Sequence, residues 1–536
     1  MSVRKLFPFV RLVLVLAAAS GCDDADAPHT APAAETPPAL PPVHPVILLG
    51  LDGATWDVID PMLARGELPH LRQLIDRGCR GPLMSFEPLV SPVVWTTIAT
   101  GRFPRDHNVL DFMTPYVAGP KSLVRATARR CPAIWNIASH YGRTVGVLGY
   151  YVTYPPEVVN GFMVSDWTAF GAKGWMYPAD VIADTSPLGN LWQPEPFAAI
   201  LRKFVAWECD PAVLDKPDHP QHRATKILLD SVGHYCQAEE GFRLLLPDLI
   251  AKRMDLFMAY FRVIDHASHA AWIFYDDSKF VTKPSTVDDH LLEDLIPAAY
   301  RYADEIVGAT VQAATPDTNI VIVSDHGFGP AAGSWEDRSD DPANDWITGN
   351  HRPNGIFLAA GPDIVHGTAR DLTIFDVLPL VAALLDLPVS ERLVGHVPAS
   401  ILQPGFTDRH PIDRVPQYDI EWQFAAPEDT SALEEAKGIE VLKSLGYLGK
   451  GVRAASQRVP VRPGDFWRSE DHVKILVLAG EGLYHLFTHD QAAAARLRQD
   501  VERHDPRLLK QINEFVRLQL LHDEYHAMRS GTDADR

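Results

Sequence analysis

The sequence predicts an α/β fold: a largely parallel central sheet flanked by helices. Three observations carry that expectation. Short apolar runs at Val46–Leu51, Thr144–Leu148, Leu256–Ile264, Asn319–Val323 and Gly355–Ala359 have the length and unbroken character of strands buried on both faces. Amphipathic stretches such as Pro69–Arg77 and Leu292–Ala314 lie between them, so strands and helices alternate. Three of the runs end in an aspartate, and sheets of this kind gather their ligands at the carboxyl ends of the strands.

The chain opens with "MSVRKLFPFVRLVLVLAAASGC", which carries cations at Arg4, Lys5 and Arg11 and an apolar stretch from Leu12 to Ala19. That stretch is too short to span a bilayer, so residues 1–22 read as a secretory signal rather than a transmembrane anchor. Ala19-Ser20-Gly21-Cys22 resembles a bacterial lipobox. The resemblance implies that Cys22 is lipidated and that the protein is exported to the bacterial periplasm as a membrane-anchored lipoprotein; the alternative is a plain secreted protein cleaved elsewhere. Residues 23–44 are rich in Pro, Ala and acid and read as an extended tether. Cys79, Cys131, Cys209 and Cys236 show no CxxC spacing, which argues against a thiolate zinc site. A disulfide between some pair of them stays open.

Residues 45–405 hold the alternating pattern and read as the main α/β domain. Within it, about 166–250 is rich in Trp, Pro and charge without a clear period, and reads as an insertion that either covers one side of the site or elaborates the fold laterally. Residues 406–536 form a mostly helical extension, in which 482–506 loosely resembles one tetratricopeptide hairpin and offers a surface for a protein partner. Across all 536 residues, 69 Asp and Glu outweigh 49 Lys and Arg, for a formal charge of -20. That balance repels phosphate backbones and argues against nonspecific nucleic-acid binding.

The chemistry-bearing residues fall at the strand ends. "PVILLGLDG" ends at Asp52, "LFMAYFRVIDHASH" places Asp265, and "NIVIVSDHGFG" places Asp325. Three acids at one sheet edge repel each other unless a cation lies among them. His326 follows Asp325 directly, His269 lies four residues after Asp265, which shares a face if that turn is helical, and His351 precedes the last apolar strand. Carboxylates and imidazoles without thiolates suit zinc in an open catalytic site, ahead of manganese or iron.

A further segment, "VSPVVWTTIATG" at 90–101, reads as a helix start with Ser91 as N-cap and Pro92 at the first helical position. In that position the free amides and positive dipole end of the helix, worth about 0.3–1 kcal/mol, would face an anion at Ser91.

Taken in order, Asp52, Ser91, Asp265, His269, Asp325, His326 and His351 resemble the alkaline phosphatase superfamily, most closely its type I phosphodiesterase/nucleotide pyrophosphatase branch. The surroundings "LDGATWDVIDPMLARGELPHLRQLIDRG", "IATGRFPRDHNVLDF" and "LTIFDVLPLVAALLDLPV" resemble it too. The resemblance implies two divalent metals, one held by Asp265, His269 and His351, the other by Asp52, Asp325, His326 and the Ser91 oxygen. It also implies a small-molecule phosphate ester substrate, Ser91 as nucleophile and a phosphoserine intermediate.

One departure stands out: the phosphodiesterases place an Asn after the "TG" segment to bind a phosphoryl oxygen, and here that position is Phe112, preceded by Asp111, with Asn108 out of register. The alternatives are therefore a phosphomonoesterase or phosphonate hydrolase of the same superfamily, or a silent metal-binding lipoprotein acting through its tail. A sulfatase is disfavoured because Ser91-Pro92-Val93-Val94-Trp95 lacks the C/S-x-P-x-R pattern. A phosphoglycerate mutase relative is disfavoured because an exported lipoprotein has little use for a glycolytic substrate.

Overall fold

A computed structural model of the chain describes residues 41–114, 121–166, 174–183, 185, 193–233, 235–280, 286–331, 348–425, 436, 439, 443 and 465–517. The signal segment with Cys22, most of the tether and residues 332–347 lie outside them. Among the described residues no helix is long and apolar enough to cross a membrane, and the four cysteines are free.

The main sheet contains β1 (Val46–Leu51), β2 (Cys79–Met84), β3 (Val145–Leu148), β4 (Gly161–Val164), β5 (Met176–Tyr177), β6 (Leu256–Phe261) and β7 (Asn319–Val323). A ribbon of β8 (Gly327–Pro330) and β9 (Gly349–Arg352) stands apart from it, and the sheet is completed by β10 (Asn354–Ala360), β11 (Gly367–Thr368) and β12 (Leu372–Thr373). The order is β11-β2-β10-β7-β1-β6-β3-β4-β5, with β12 also on β2. The centre is parallel: β1 pairs in parallel with both β6 and β7, and β3 with β6. Every residue of β1 is buried, as expected of a strand covered on both faces.

β10 departs from the parallel rule, running antiparallel to β7 and β2. The consequence is functional. A strand of reversed direction begins at the edge where β1, β6 and β7 end, so the ribbon that precedes it reaches the same edge.

The helices include α1 (Trp56–Ala64), α2 (Pro69–Ile75), α3 (Ser91–Thr100), α4 (Pro104–His107), α5 (Cys236–Ile250), α6 (Val263–Tyr275), α7 (Leu295–Ala313), α8 (Val377–Leu384), α9 (Asp471–Phe487) and α10 (Gln491–His504). One apolar core lies under α1, α2, α5, α6 and α7, the other under α3 and α8. Part of the stretch read as an insertion, α5, joins the first core. The run Leu256–Ile264 is not one strand: β6 stops at Phe261 and α6 starts at Val263. The break has a nonlocal cause, because the Glu239 carboxylate of α5 accepts the Arg262 N–H at 2.7 Å and takes that amide out of the ladder.

In the tail, α9 and α10 form the helical hairpin expected there. Its apolar residues Val473, Val477, Leu478, Leu497 and Val501 pack with Leu110, which follows α4.

Candidate active site

Three adjacent parallel strands bring three aspartates to one edge. Asp52 follows β1, Asp265 lies in the first turn of α6 just past β6, and Asp325 follows β7. All three are buried. Burial, and then the Asp265 charge, push Asp52 up to about 6. Burial, and then Asp52, push Asp325 well above the ordinary carboxylate range. Asp265 goes the other way: burial resists its ionisation, but the imidazoles of His269 and His351 outweigh burial and hold it low.

Asp265 and His269 do share one face of α6, with Oδ1 and Nε2 3.5 Å apart. His351 arrives from β9, its Nε2 3.1 Å from Asp265 Oδ1 and 2.9 Å from His269 Nε2. His326 places Nε2 3.4 Å from both Asp52 Oδ1 and Asp325 Oδ2, and 4.0 Å from Asp265 Oδ1. It therefore stands within reach of both acidic sets; the ligand atoms of Asp52, Asp325 and His326 lie within 4.8 Å of one another, as do those of Asp265, His326 and His351.

The second nitrogen of each imidazole fixes its tautomer. His351 Nδ1 lies 2.7 Å from the Leu89 carbonyl, His269 Nδ1 3.2 Å from that of Gly349, and His326 Nδ1 3.1 Å from that of Gly327. A carbonyl only accepts, so each Nδ1 donates and each Nε2 turns a lone pair toward the acids. Burial drives His326 well below its usual pKa and keeps it neutral. For His351 burial also opposes charge, but Asp265 Oδ1, placed to accept from Nε2 once the ring is protonated, outweighs it and raises the pKa.

The donor set fits divalent cations on an independent ground. Asp52 Oδ1, both Asp325 oxygens and His326 Nε2 are buried and receive no hydrogen bond. Orphaned acceptors of this kind are costly unless a cation satisfies them. Carboxylate oxygens with imidazole nitrogens are the ligands zinc takes in catalytic sites.

Ser91 is not the N-cap. The Val90 carbonyl accepts from the amides of Val93 at 2.8 Å and Val94 at 3.0 Å, which makes extended Val90 the cap, Ser91 the first helical residue and Pro92 the second. The supply of free amides is correspondingly smaller. Pro92 has none, Val93 and Val94 are engaged, and only the Ser91 amide remains from the first turn. Ser91 itself is buried between two links to the site: two residues before it the Leu89 carbonyl holds His351, and one turn after it Trp95 Nε1 donates to Asp52 Oδ2 at 3.1 Å.

The residues near the departure have partners within the chain. Asn108, left-handed at φ 65°, caps α4 and donates its amide to the Ala128 carbonyl at 3.1 Å. Phe112 is buried, its carbonyl accepting from the Val124 amide and its own amide donating to Asp111 Oδ1.

Sequence reasoning missed the residues that aim the ligands. Tyr260 OH donates to Asp52 Oδ2 at 2.5 Å beside the Trp95 indole. Gly50 makes room for that indole, since a Cβ there would come within 2.6 Å of it. The available signal was spacing: Trp95 is four residues past Ser91, and Tyr260 sits two before the break that starts α6. Arg262, buried at the same strand end, lies 4.8–5.4 Å from the ring centres of Tyr235, Tyr260 and Tyr151.

A profile of the family described as type I phosphodiesterase / nucleotide pyrophosphatase matches residues 46–370, more than half of the chain. Among solved structures, phosphonoacetate hydrolase from Sinorhizobium meliloti 1021 in complex with phosphonoformate is similar at 14% identity, over 64% of this chain and 96% of its own, with a TM-score of 0.40. Murine ectonucleotide pyrophosphatase / phosphodiesterase 5 is similar at 12% identity, over 67% of this chain and 100% of its own, with a TM-score of 0.38. No curated protein matches the chain by sequence.

Proposed function

The chain belongs to the type I phosphodiesterase / nucleotide pyrophosphatase family and is a hydrolase of phosphoric ester bonds, and on that premise we propose that Ser91 is its nucleophile and that the Asp/His cluster holds two divalent cations, zinc first. Asp265, His269 and His351 would hold one; Asp52, Asp325, His326 and the Ser91 oxygen would hold the other. When bound, the pair lowers the pKa of a coordinated hydroxyl and neutralises charge at both ends of an in-line phosphoryl transfer.

The chain's own part is orientation. Trp95 and Tyr260 fix one oxygen of Asp52 and leave the other toward His326. Three backbone carbonyls fix three imidazoles. In the first displacement the Ser91 Oγ–P bond forms as the bond from phosphorus to the leaving oxygen breaks, giving phosphoserine and the free alcohol. Water then cleaves the phosphoserine, returning Ser91 and releasing phosphate or a monoester, with net retention at phosphorus.

The observation that supports Ser91 most directly is its bracketing: Leu89 and Trp95, on either side of it in sequence, each hold a cluster residue. A second reading, hydrolysis of phosphomonoesters or phosphonates at the same centre, is favoured by Phe112 and by the Asn108 amide being engaged at Ala128. Zinc-loaded wild type and Ser91→Ala, assayed on bis-p-nitrophenyl phosphate, p-nitrophenyl phosphate and a phosphonate, test both. Ser91→Ala should keep its metal and lose turnover on the order of 10³-fold or more, and the wild-type preference decides the ester class. Turnover retained in Ser91→Ala would overturn the assignment. We also propose export and lipid anchoring at Cys22, a reading supported by the signal-like leader alone.

A further inference from the structure

We propose that the C-terminal hairpin is a clamp on the active site, with Gly480 and Glu481 as positioning residues; the inference rests on the assignment of Ser91 and the His351 ligand set. Gly480 lies in the middle of α9, where glycine costs about 1 kcal/mol relative to alanine. Here nothing larger fits. A Cβ on Gly480 would lie 1.5 Å from the Glu87 carbonyl oxygen and 2.4 Å from its carbon.

Glu87 belongs to the short segment that sets the site. From it the chain runs through Leu89, whose carbonyl orients His351, to Val90, which caps α3, and to Ser91. Phe86, next to Glu87, packs on Phe103 and Phe375 at 5.9 and 5.4 Å between ring centres. Tyr484 of α9 packs on the same two rings at 5.6 and 4.8 Å.

Charge pins the hairpin at a second point. Arg105, in α4, places Nε 2.7 Å from buried Glu481 of α9 and Nη1 2.5 Å from Asp500 of α10. Glu481 is buried and Arg105 only partly exposed, so removing either leaves the other's charge poorly compensated. The hairpin therefore grips the segment before α3 and the helix after it. A shift of α9 moves the Leu89 carbonyl, and with it the aim of His351 Nε2.

Gly480→Ala in the full chain tests this, read by zinc affinity in competition with a chromophoric chelator, by amide exchange over residues 85–94 and by turnover. The variant should keep its helical circular dichroism, lose zinc affinity about tenfold or more, as outer partners of metal ligands do, exchange faster over 85–94, and lose kcat with little change in KM. Leu486→Ala, exposed on the same helix, should change none of these. If Gly480→Ala fails to fold, Glu481→Gln keeps the side chain's size, removes the charge facing Arg105, and should move the same readouts in the same direction. Folded variants with wild-type zinc affinity and exchange would overturn the clamp. Wild type that turns over no ester would sink the assignment of Ser91 instead, while exchange over 85–94 still decides the clamp.

Discussion

Tyr260→Phe isolates one hydroxyl at the centre of the site. Tyr260 packs edge-on against Trp95 with ring centres 4.9 Å apart and lies 5.5 Å from Tyr151, contacts that phenylalanine keeps. What it loses is the 2.5 Å bond to Asp52 Oδ2, leaving only the 3.1 Å bond from Trp95. A hydrogen bond to a charged acceptor contributes about 1.5–3 kcal/mol. That loss corresponds to about 10- to 100-fold in affinity for a cation at Asp52, the range seen when such outer partners of metal ligands are removed.

The sign with pH follows from the same bond. The Tyr260 hydroxyl favours ionised Asp52, whose pKa burial already raises to about 6. Without it Asp52 holds its proton to higher pH, and a cation must displace that proton. The deficit in zinc affinity should therefore be larger at pH 6 than at pH 8, measured by chelator competition at both. Equal affinity in Tyr260→Phe and wild type at pH 6, or a deficit independent of pH, would refute the claim that Asp52 is a ligand aimed by its neighbours.

Other perturbations give separable outcomes. Stripping metal with a chelator should lower the melting temperature more at pH 8 than at pH 5.5. The raised Asp52 pKa leaves its contribution to the metal-free fold whole below about 3.8 and lost as pH rises through about 6; raised Asp325 and His351 act in the same sense and His326 opposes them. A drop of the same size at both pH values counts against the scheme. His107 is buried, accepts the Val109 N–H at 3.1 Å and donates through Nε2 to Thr97 at 3.0 Å; burial, then Arg129 and Arg102, lower it to about 3. Its contribution is whole above the unfolded value of 6.5 and lost as pH falls toward 3, about 2 kcal/mol by pH 5. The unfolding free energy of His107→Asn should thus fall less than that of wild type between pH 7 and pH 5, and parallel curves would disprove this. Cys22→Ala should move the protein from the membrane pellet to the soluble periplasmic fraction, and an unchanged partition would remove the anchor.

The parts of this molecule legible in sequence are those where one residue type alone states a physical problem. β1 reads as a buried strand because six consecutive residues are apolar or Gly, which suits a strand covered on both faces. Asp52, Asp265 and Asp325 stand out because an acid at the end of such a run needs an explanation. Strand direction leaves no such mark, which is why antiparallel β10 looks like its parallel neighbours. The end of β6 was hidden for a similar reason: apolar residues continue into α6, and the stop is set by Glu239, which lies 23 residues upstream. Trp95 and Tyr260 look like core aromatics because they are core aromatics, each with one polar atom turned to Asp52.

Ser91 shows how far a correct local motif falls short of the site. Ser-Pro does mark a helix start, but the position of the cap is decided by which carbonyl the Val93 and Val94 amides choose, and they choose Val90. Moving Ser91 from the cap to the first helical turn frees its hydroxyl from capping, which is what a nucleophile requires, and at the same time removes most of the amides that would have met an anion there. On the proposed assignment, the charge handling at Ser91 then falls to the Asp/His cluster. On that reading the aim of His351 through Leu89 matters, and the proposed clamp gives a hairpin outside the family's matched residues 46–370 a bearing on chemistry. A helical pair that resembles a repeat lacks the neighbours it needs to bury its faces; here Leu110, Phe103 and the Glu87 backbone supply them. The extension and the segment before α3 then pack as one unit, and the proposed clamp predicts that a change in either reaches the imidazole of His351.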